Sequence, residues 1–244
     1  MFTKAKKSLS KINYKLFWAL LVLGLCPTVY TTLRVFFLGE LPGEYSFSIA
    51  GQLSWVNLLY EILSEAIVLP LFFFIGKVLS DKKEFANRMR TGLIVSVGAY
   101  MVLSFLIIAL AKPLLSLMAT DKAIIDASAT YIRIESVASI FSLAFNFIMV
   151  GMVTLGKEKY VYALTAVKLV LCLLVDTFMV STLPVSLNLG VNGIAFSNII
   201  VNVLLVVTAI VLLHKEGITL FKKEELSFGW MKEFAKVGGI SGVE

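Results

Sequence analysis

Six long apolar runs, at about 17–38, 47–79, 92–111, 132–155, 160–183 and 191–213, are separated by short segments where Arg, Lys, Asp, Glu, Gly and Pro collect. About 20 predominantly apolar residues cross the hydrocarbon core of a bilayer as a helix, and each run reaches that length. In lipid only helices and closed barrels satisfy their own backbone. The pattern therefore predicts an all-α polytopic membrane protein, a bundle of six transmembrane helices. The second run is the longest and carries Pro70, which predicts a tilted or bent helix. Between the runs, Gly39 to Gly43 predicts a turn, Gly76 to Arg90 a charged loop, and Gly156 to Lys159 a tight connection. The stretch 112–131 reads as a short interfacial helix ahead of the fourth span.

This divides the chain into a basic N-terminus (1–16), a six-helix lobe (17–213), an amphipathic surface segment (214–236) and the start of a seventh helix (237–244). Stopping there is what a truncated or split protein would do. The basic start lacks a small-residue cleavage pattern, so the first helix is expected to stay attached. Lys and Arg then orient the bundle. Five fall in the first 16 residues, five in 76–92, two in 156–160 and five in 214–236, seventeen on one side. The opposite loops hold two, Lys112 and Lys122, so both termini are expected in the cytoplasm of a bacterial-type inner membrane.

Composition agrees. The 244 residues are 59% hydrophobic and 16% charged, with mean hydropathy +0.91, whereas soluble domains run at about 45–50% and 25%. A net charge of +6 on a soluble fold would point to nucleic acid, but here every lysine except Lys168 lies between spans, and no nucleic-acid partner is expected. Cys26 and Cys172 lie inside apolar runs and leave the redox compartment open. A single histidine, His214, gives no HExxH motif and no bis-histidine haem site, and no phosphate-binding Walker loop is present. No enzyme activity, cofactor or metal centre is expected.

What stands out is polarity inside the spans. Asp, Lys or Arg at mid-helix costs about 2.5–3.5 kcal/mol and usually faces a bundle interior. In the second span Ser54, Asn57, Glu61, Ser64 and Glu65 recur at steps of three and four, on one helical face. Glu135, Ser139, Ser142 and Asn146 do so in the fourth, Thr165, Lys168, Cys172 and Asp176 in the fifth, and Asn198 and Asn202 in the sixth. Interhelical hydrogen bonding alone, at about 0.6 kcal/mol per contact, is a poor account of intramembrane carboxylates. The stripes predict a pathway for ions or polar solutes. At 1.5 Å per residue Asp176 lies roughly 24 Å above Tyr160, and Arg34 roughly 25 Å above Phe17, at similar depth. Lys168 is roughly 12 Å from the inner surface, near enough to snorkel. Pro70 frees the carbonyl of Ala66, close to Glu65.

Several segments in this order resemble the multidrug and toxic compound extrusion family, within the multidrug, oligosaccharide and polysaccharide exporter superfamily. They are Gly76 to Gly92 (GKVLSDKKEFANRMRTG), Tyr131-Ile132-Arg133-Ile134, Val175-Asp176-Thr177-Phe178, Leu189 to Ala195 (LGVNGIA) and Lys236 to Glu244 (KVGGISGVE). The resemblance implies two six-helix lobes about a pseudo-twofold axis, of which this chain is the first, and xenobiotic export by antiport with Na⁺ or H⁺. It also implies an ion site in this lobe. The family's fifth-helix carboxylate corresponds to Asp176, the polar residue one turn earlier to Cys172, and the sixth-helix hydroxyl residue to Asn198. In the first helix the family's Tyr-Asn-x-x-Asp run is replaced by Tyr30-Thr31-Thr32-Leu33-Arg34, so that a carboxylate has become a guanidinium. Glu61 and Glu65 are unusual for the family's second helix.

The reading is a cation-coupled exporter of small amphipathic or cationic molecules, with H⁺ favoured over Na⁺. Asp176, Glu61, Glu65, Arg34 and Asn198 are the expected ion or proton residues; Tyr30, Asn57, Cys172, Asn202 and Asn146 are the expected substrate-cavity residues. Arg34 is expected to pair with Asp176 in the cation's place, leaving Glu61 or Glu65 to carry protons, with outward snorkelling of Arg34 as the alternative. Membrane lipid and either a C-terminal lobe or a second copy of the chain are the expected partners. The alternatives are a lipid-linked oligosaccharide flippase of the same superfamily and a non-transporting membrane scaffold.

Overall fold

The computed structural model describes residues 28–41, 45–118, 120–221 and 226–241. The lysines of the first 16 residues and Cys26 lie outside them. The described part of the first helix, α1, runs over 28–40. It is followed by α2 (Ser46–Gly51), α3 (Ser54–Gly76), α4 (Lys82–Leu117), α5 (Lys122–Thr154), α6 (Glu158–Val180), α7 (Val191–Lys215) and α8 (Met231–Ser241). Helices α4 to α7 are each long and apolar enough to cross a membrane.

Three sequence-based boundaries differ. The run 47–79 is two helices, because at Gln52 and Leu53 the hydrogen bonds shift to carbonyls three residues back: Leu53 N–H donates to Ala50 at 3.2 Å. The charged loop Gly76 to Arg90 is a loop only as far as Asp81. That carboxylate accepts from the backbone N–H groups of Lys83 (2.9 Å) and Glu84 (3.1 Å) and starts α4. Nor is 112–131 a separate interfacial helix. Residues to Leu117 continue α4, and Asp121 caps a new helix through the Ala123 N–H at 2.9 Å. Hydropathy marks the lipid-facing part of a helix, whereas capping residues mark its ends. Pro70 lies inside α3 without ending it.

Helix α5 is central: half of its most apolar stretch is buried in the protein, against 22–33% for α4, α6 and α7. Tyr60 on α3 shares a 2.7 Å hydrogen bond with Ser104 on α4, Tyr100 donates to the Tyr60 carbonyl at 2.7 Å, and Ser104 donates to the Ser136 carbonyl on α5 at 3.0 Å. Helices α6 and α7 meet where Gly193 faces the Met179 carbonyl; a Cβ there would lie 2.7 Å from that oxygen. Gly190, just before α7, has φ +61°, a left-handed conformation that favours glycine. Gly193→Ala is expected to lower stability by about 1–3 kcal/mol, the usual cost of overpacking, measured as a fall in unfolding midpoint in detergent. An unchanged midpoint would refute this close contact.

The described parts of the basic segments 76–92, 156–160 and 214–236 meet one another. Lys157 pairs with Glu216 at 2.6 Å, and that hydrogen bond holds the Glu216 carboxyl below its ordinary pKa. Arg90 donates to the Thr219 carbonyl at 2.8 Å, and the Asn87 side chain exchanges hydrogen bonds with the Ser227 backbone at 3.1 and 2.9 Å. Trp230 is buried, donates to Thr91 Oγ1 at 3.0 Å and packs on Phe74 and Phe234. Helix α8 therefore lies against α3, and it crosses the boundary at 236/237 between the expected surface segment and seventh helix.

Candidate functional site

One turn of α1 sets Tyr30 and Arg34 on the same side, and the Arg34 guanidinium lies 4.5 Å from the centre of the Tyr30 ring. From there it reaches α6. Nε donates to Asp176 Oδ2 at 2.9 Å and Nη2 to Oδ1 at 3.2 Å, a two-point contact with a carboxylate only 2% exposed. The ion pair expected between Arg34 and Asp176 is thus present; Arg34 does not turn outward, and Glu61 is not its partner. Arg34 Nη2 also donates to Asn198 Oδ1 on α7 at 2.8 Å. The Asn198 amide in turn donates from Nδ2 to Glu135 Oε1 on α5 at 2.7 Å. Four helices are linked through one chain of charged and amide groups, Asp176–Arg34–Asn198–Glu135.

Arg34, Asn198 and Glu135 of this network line a cavity of about 320 Å³. Asn57 and Tyr60 of α3, Tyr100 of α4, Ser139, Ser142 and Asn146 of α5, Lys168 and Cys172 of α6, and Asn202 of α7 complete it. Two buried oxygens of lining residues, Glu135 Oε2 and Asn202 Oδ1, have no hydrogen-bond partner among the described residues. A second cavity of about 370 Å³ adjoins it, sharing Tyr30, Asn146, Lys168 and Cys172. Among the described residues no group of three or more His, Cys, Asp and Glu could hold a metal ion.

Of the residues singled out from sequence, Arg34, Asp176, Asn198, Tyr30, Cys172, Asn202, Asn146 and Asn57 come together here. Glu61 and Glu65 do not. Both are exposed on α3, and neither has an ion-pair or hydrogen-bond partner among the described residues. Of the shared face of Ser54, Asn57, Glu61, Ser64 and Glu65, Ser64 is half-buried and the other four are exposed, and only Asn57 lines the cavity. Glu135, part of the fourth-span stripe but not among the expected ion or proton residues, joins the site. It headed the fourth-span stripe, and a carboxylate there is as costly as Glu61. Lys168, set aside as a snorkelling lysine, lines both cavities.

Comparison with known proteins follows the same lines. The MatE family model matches residues 19–178. Among solved structures, a mutant of the Vibrio cholerae MATE transporter VcmN superposes with TM-score 0.84 at 15% identity, covering 98% of this chain and 54% of that one. An outward-facing multidrug resistance MATE transporter of the MOP superfamily gives TM-score 0.79 at 16% identity, over 92% of this chain and 50% of that one. A MOP superfamily transporter from Pyrococcus furiosus, described as having a binding pocket of reverse polarity, gives the same TM-score, identity and coverage. At such identities the likeness concerns the fold. The chain spans about half the length of these transporters. A comparison with curated proteins finds no significant match.

Proposed function

The chain belongs to the MatE family of membrane transporters, and on that premise we propose that it acts as the N-terminal lobe of a secondary-active exporter of small amphipathic amines, driven by H⁺ rather than Na⁺. The observation that carries this reading is the ion pair between Asp176 and Arg34, of which Arg34 lines the cavity. Both carboxylate oxygens of Asp176 are taken by the guanidinium. A metal cation entering there would have to displace Arg34 or share its space, and like charges at close range in a low-dielectric interior repel strongly. The permanent cation thus substitutes for an exchangeable one. Coupling then falls to a carboxyl that can gain and lose a proton: Glu135 in the cavity, or Glu61 and Glu65 on the open face of α3.

That open face also supports the two-lobe arrangement. Carboxylates along a span do not face lipid, so Glu61 and Glu65 call for a second wall, with water or substrate between. Alternating access needs one repeat to move against another around a shared site. A C-terminal lobe, or a second copy of this chain in parallel, supplies that wall. The lysine-rich end of the bundle faces the cytoplasm of the inner membrane in this reading. Single cysteines at Gly43 and Ser186 are expected to react with an impermeant reagent in intact cells, while those at Lys82 and Lys223 react only after permeabilisation. Labelling at Lys82 from outside would reverse the orientation.

The test of the proposal is transport of a fluorescent organic cation by the full-length protein in proteoliposomes. Movement is expected under an imposed pH gradient without Na⁺. Movement that follows a Na⁺ gradient at fixed pH, or none under either gradient, would refute it.

A further inference from the structure

Three carboxyls are open to a coupling proton in the transporter reading, and their contacts separate them. Glu61 and Glu65 are exposed on α3 with no hydrogen-bond or ion-pair partner among the described residues, so a proton there alters no contact within the lobe. Glu135 lines the cavity and is wired to the rest of the site. Its Oε1 accepts from Asn198 Nδ2 at 2.7 Å, Oδ1 of the same amide accepts from Arg34 at 2.8 Å, and Arg34 holds Asp176 at 2.9 Å. A change of charge on α5 is thus felt on α7, α1 and α6.

Among the described residues, the titratable and charged groups that face Glu135 are Tyr30 and Arg34 of α1, Tyr60 of α3, Tyr100 of α4 and Tyr131 of α5. Helix α6 adds Lys168, Cys172 and Asp176, and α7 only the amides of Asn198 and Asn202. Asp176 is the one other carboxyl in this set. A proton there would have to displace Arg34, which occupies both of its oxygens. At Glu135 one oxygen faces a neutral amide, and the other, Oε2, has no partner among the described residues. Burial of Oε2 bars a solute, but a proton passes from cavity water to a carboxyl without the room a solute needs.

With Glu135 ionised, Asp176, Arg34 and Glu135 sum to one negative charge; with Glu135 protonated they sum to zero. Lys168 adds the same charge to both states and leaves the difference unchanged. Protonation also weakens the bond from Asn198, because charge-assisted hydrogen bonds are roughly twice as strong as neutral ones.

We infer that Glu135 carries the coupling proton: cavity water gives one proton to its carboxylate and takes it back, and an organic cation in the cavity holds the ionised form. Cation and proton compete for one negative charge without the cation touching the carboxylate, since charges interact strongly across a low-dielectric interior. A nearby cation favours the ionised carboxylate, so its binding releases the proton and tightens as the pH rises. The inference rests on the transporter reading and picks one carboxyl from the three it left open.

The test is equilibrium binding of ethidium, a fluorescent cation whose charge does not change with pH, to the purified full-length protein in detergent across neutral pH. Wild type is expected to bind up to about tenfold more tightly per pH unit, the slope of one linked proton. Glu135→Gln keeps a carbonyl for the Asn198 amide but cannot ionise, and is expected to bind without that slope. The double variant Glu61→Gln/Glu65→Gln is expected to keep it. In proteoliposomes a pH gradient should drive ethidium through the wild type and not through Glu135→Gln. A slope or driven movement that survives Glu135→Gln would overturn the inference. So would a slope that vanishes from Glu61→Gln/Glu65→Gln, or a wild type that binds ethidium without a slope or not at all. If Glu135→Gln does not fold, the wild type and the α3 double variant still decide. Failure of the transporter reading looks different: the slope is present and Glu135→Gln removes it, but neither gradient moves ethidium through the wild type.

Discussion

Arg34→Ala and Asp176→Asn are each expected to lower stability by about 3–5 kcal/mol and to abolish transport, while the double replacement recovers much of the lost stability. The asymmetry follows from burial. Asp176 is 2% exposed and has both oxygens on Arg34. Removing the guanidinium leaves an uncompensated carboxylate inside the bundle, and neutralising the carboxylate leaves an uncompensated guanidinium. Removing both leaves no net charge, only a smaller side chain on α1. Unfolding midpoints of the three variants in detergent measure this directly. A double variant as damaged as the worse single one would show that the two groups act independently, and the ion pair would lose its place in the account.

The next largest effect is expected at Asn198. Its amide is bivalent: Oδ1 accepts from Arg34 at 2.8 Å while Nδ2 donates to Glu135 at 2.7 Å. Each is a hydrogen bond to a charged group, worth about 1.5–3 kcal/mol. Asn198→Leu removes both and also strips Glu135 of its one side-chain donor, so a loss of about 3–5 kcal/mol is expected on the same scale. Asn198→Asp keeps an acceptor for Arg34 but sets a second carboxylate against Glu135, and is expected to recover only part of the loss. A loss below about 1 kcal/mol for Asn198→Leu would mean that water replaces the amide and that the four-helix chain is not a rigid unit.

The spans were legible in the sequence because lipid leaves a helix so few choices of composition. The extent of α4 was not. Its first turns are as charged as a loop, and only the Asp81 cap tells them apart from one. The Arg34–Asp176 pair was legible from depth alone, since both residues sit near one end of their helices and carry opposite charge. Depth could not separate Glu135 from Glu61, however. A stripe at steps of three and four fixes that residues share a face, not which neighbour that face meets. Helix α5 is central, so its stripe looks inward to Asn198; α3 is peripheral in this lobe, so its stripe looks away. The rotation of each helix about its own axis comes from packing details such as Gly193 on the Met179 carbonyl, and hydropathy carries no record of those.

The central claim is that a fixed guanidinium occupies the place of a bound cation beside Asp176. Its most direct test is the thermal unfolding of the purified full-length protein in rising NaCl, against choline chloride at equal ionic strength. Wild type is expected to respond identically to the two salts, whereas Arg34→Ala, with Asp176 uncovered, is expected to gain a Na⁺-specific stabilisation that Asp176→Asn removes. Specific stabilisation of the wild type by Na⁺, with no gain in Arg34→Ala, would contradict the account.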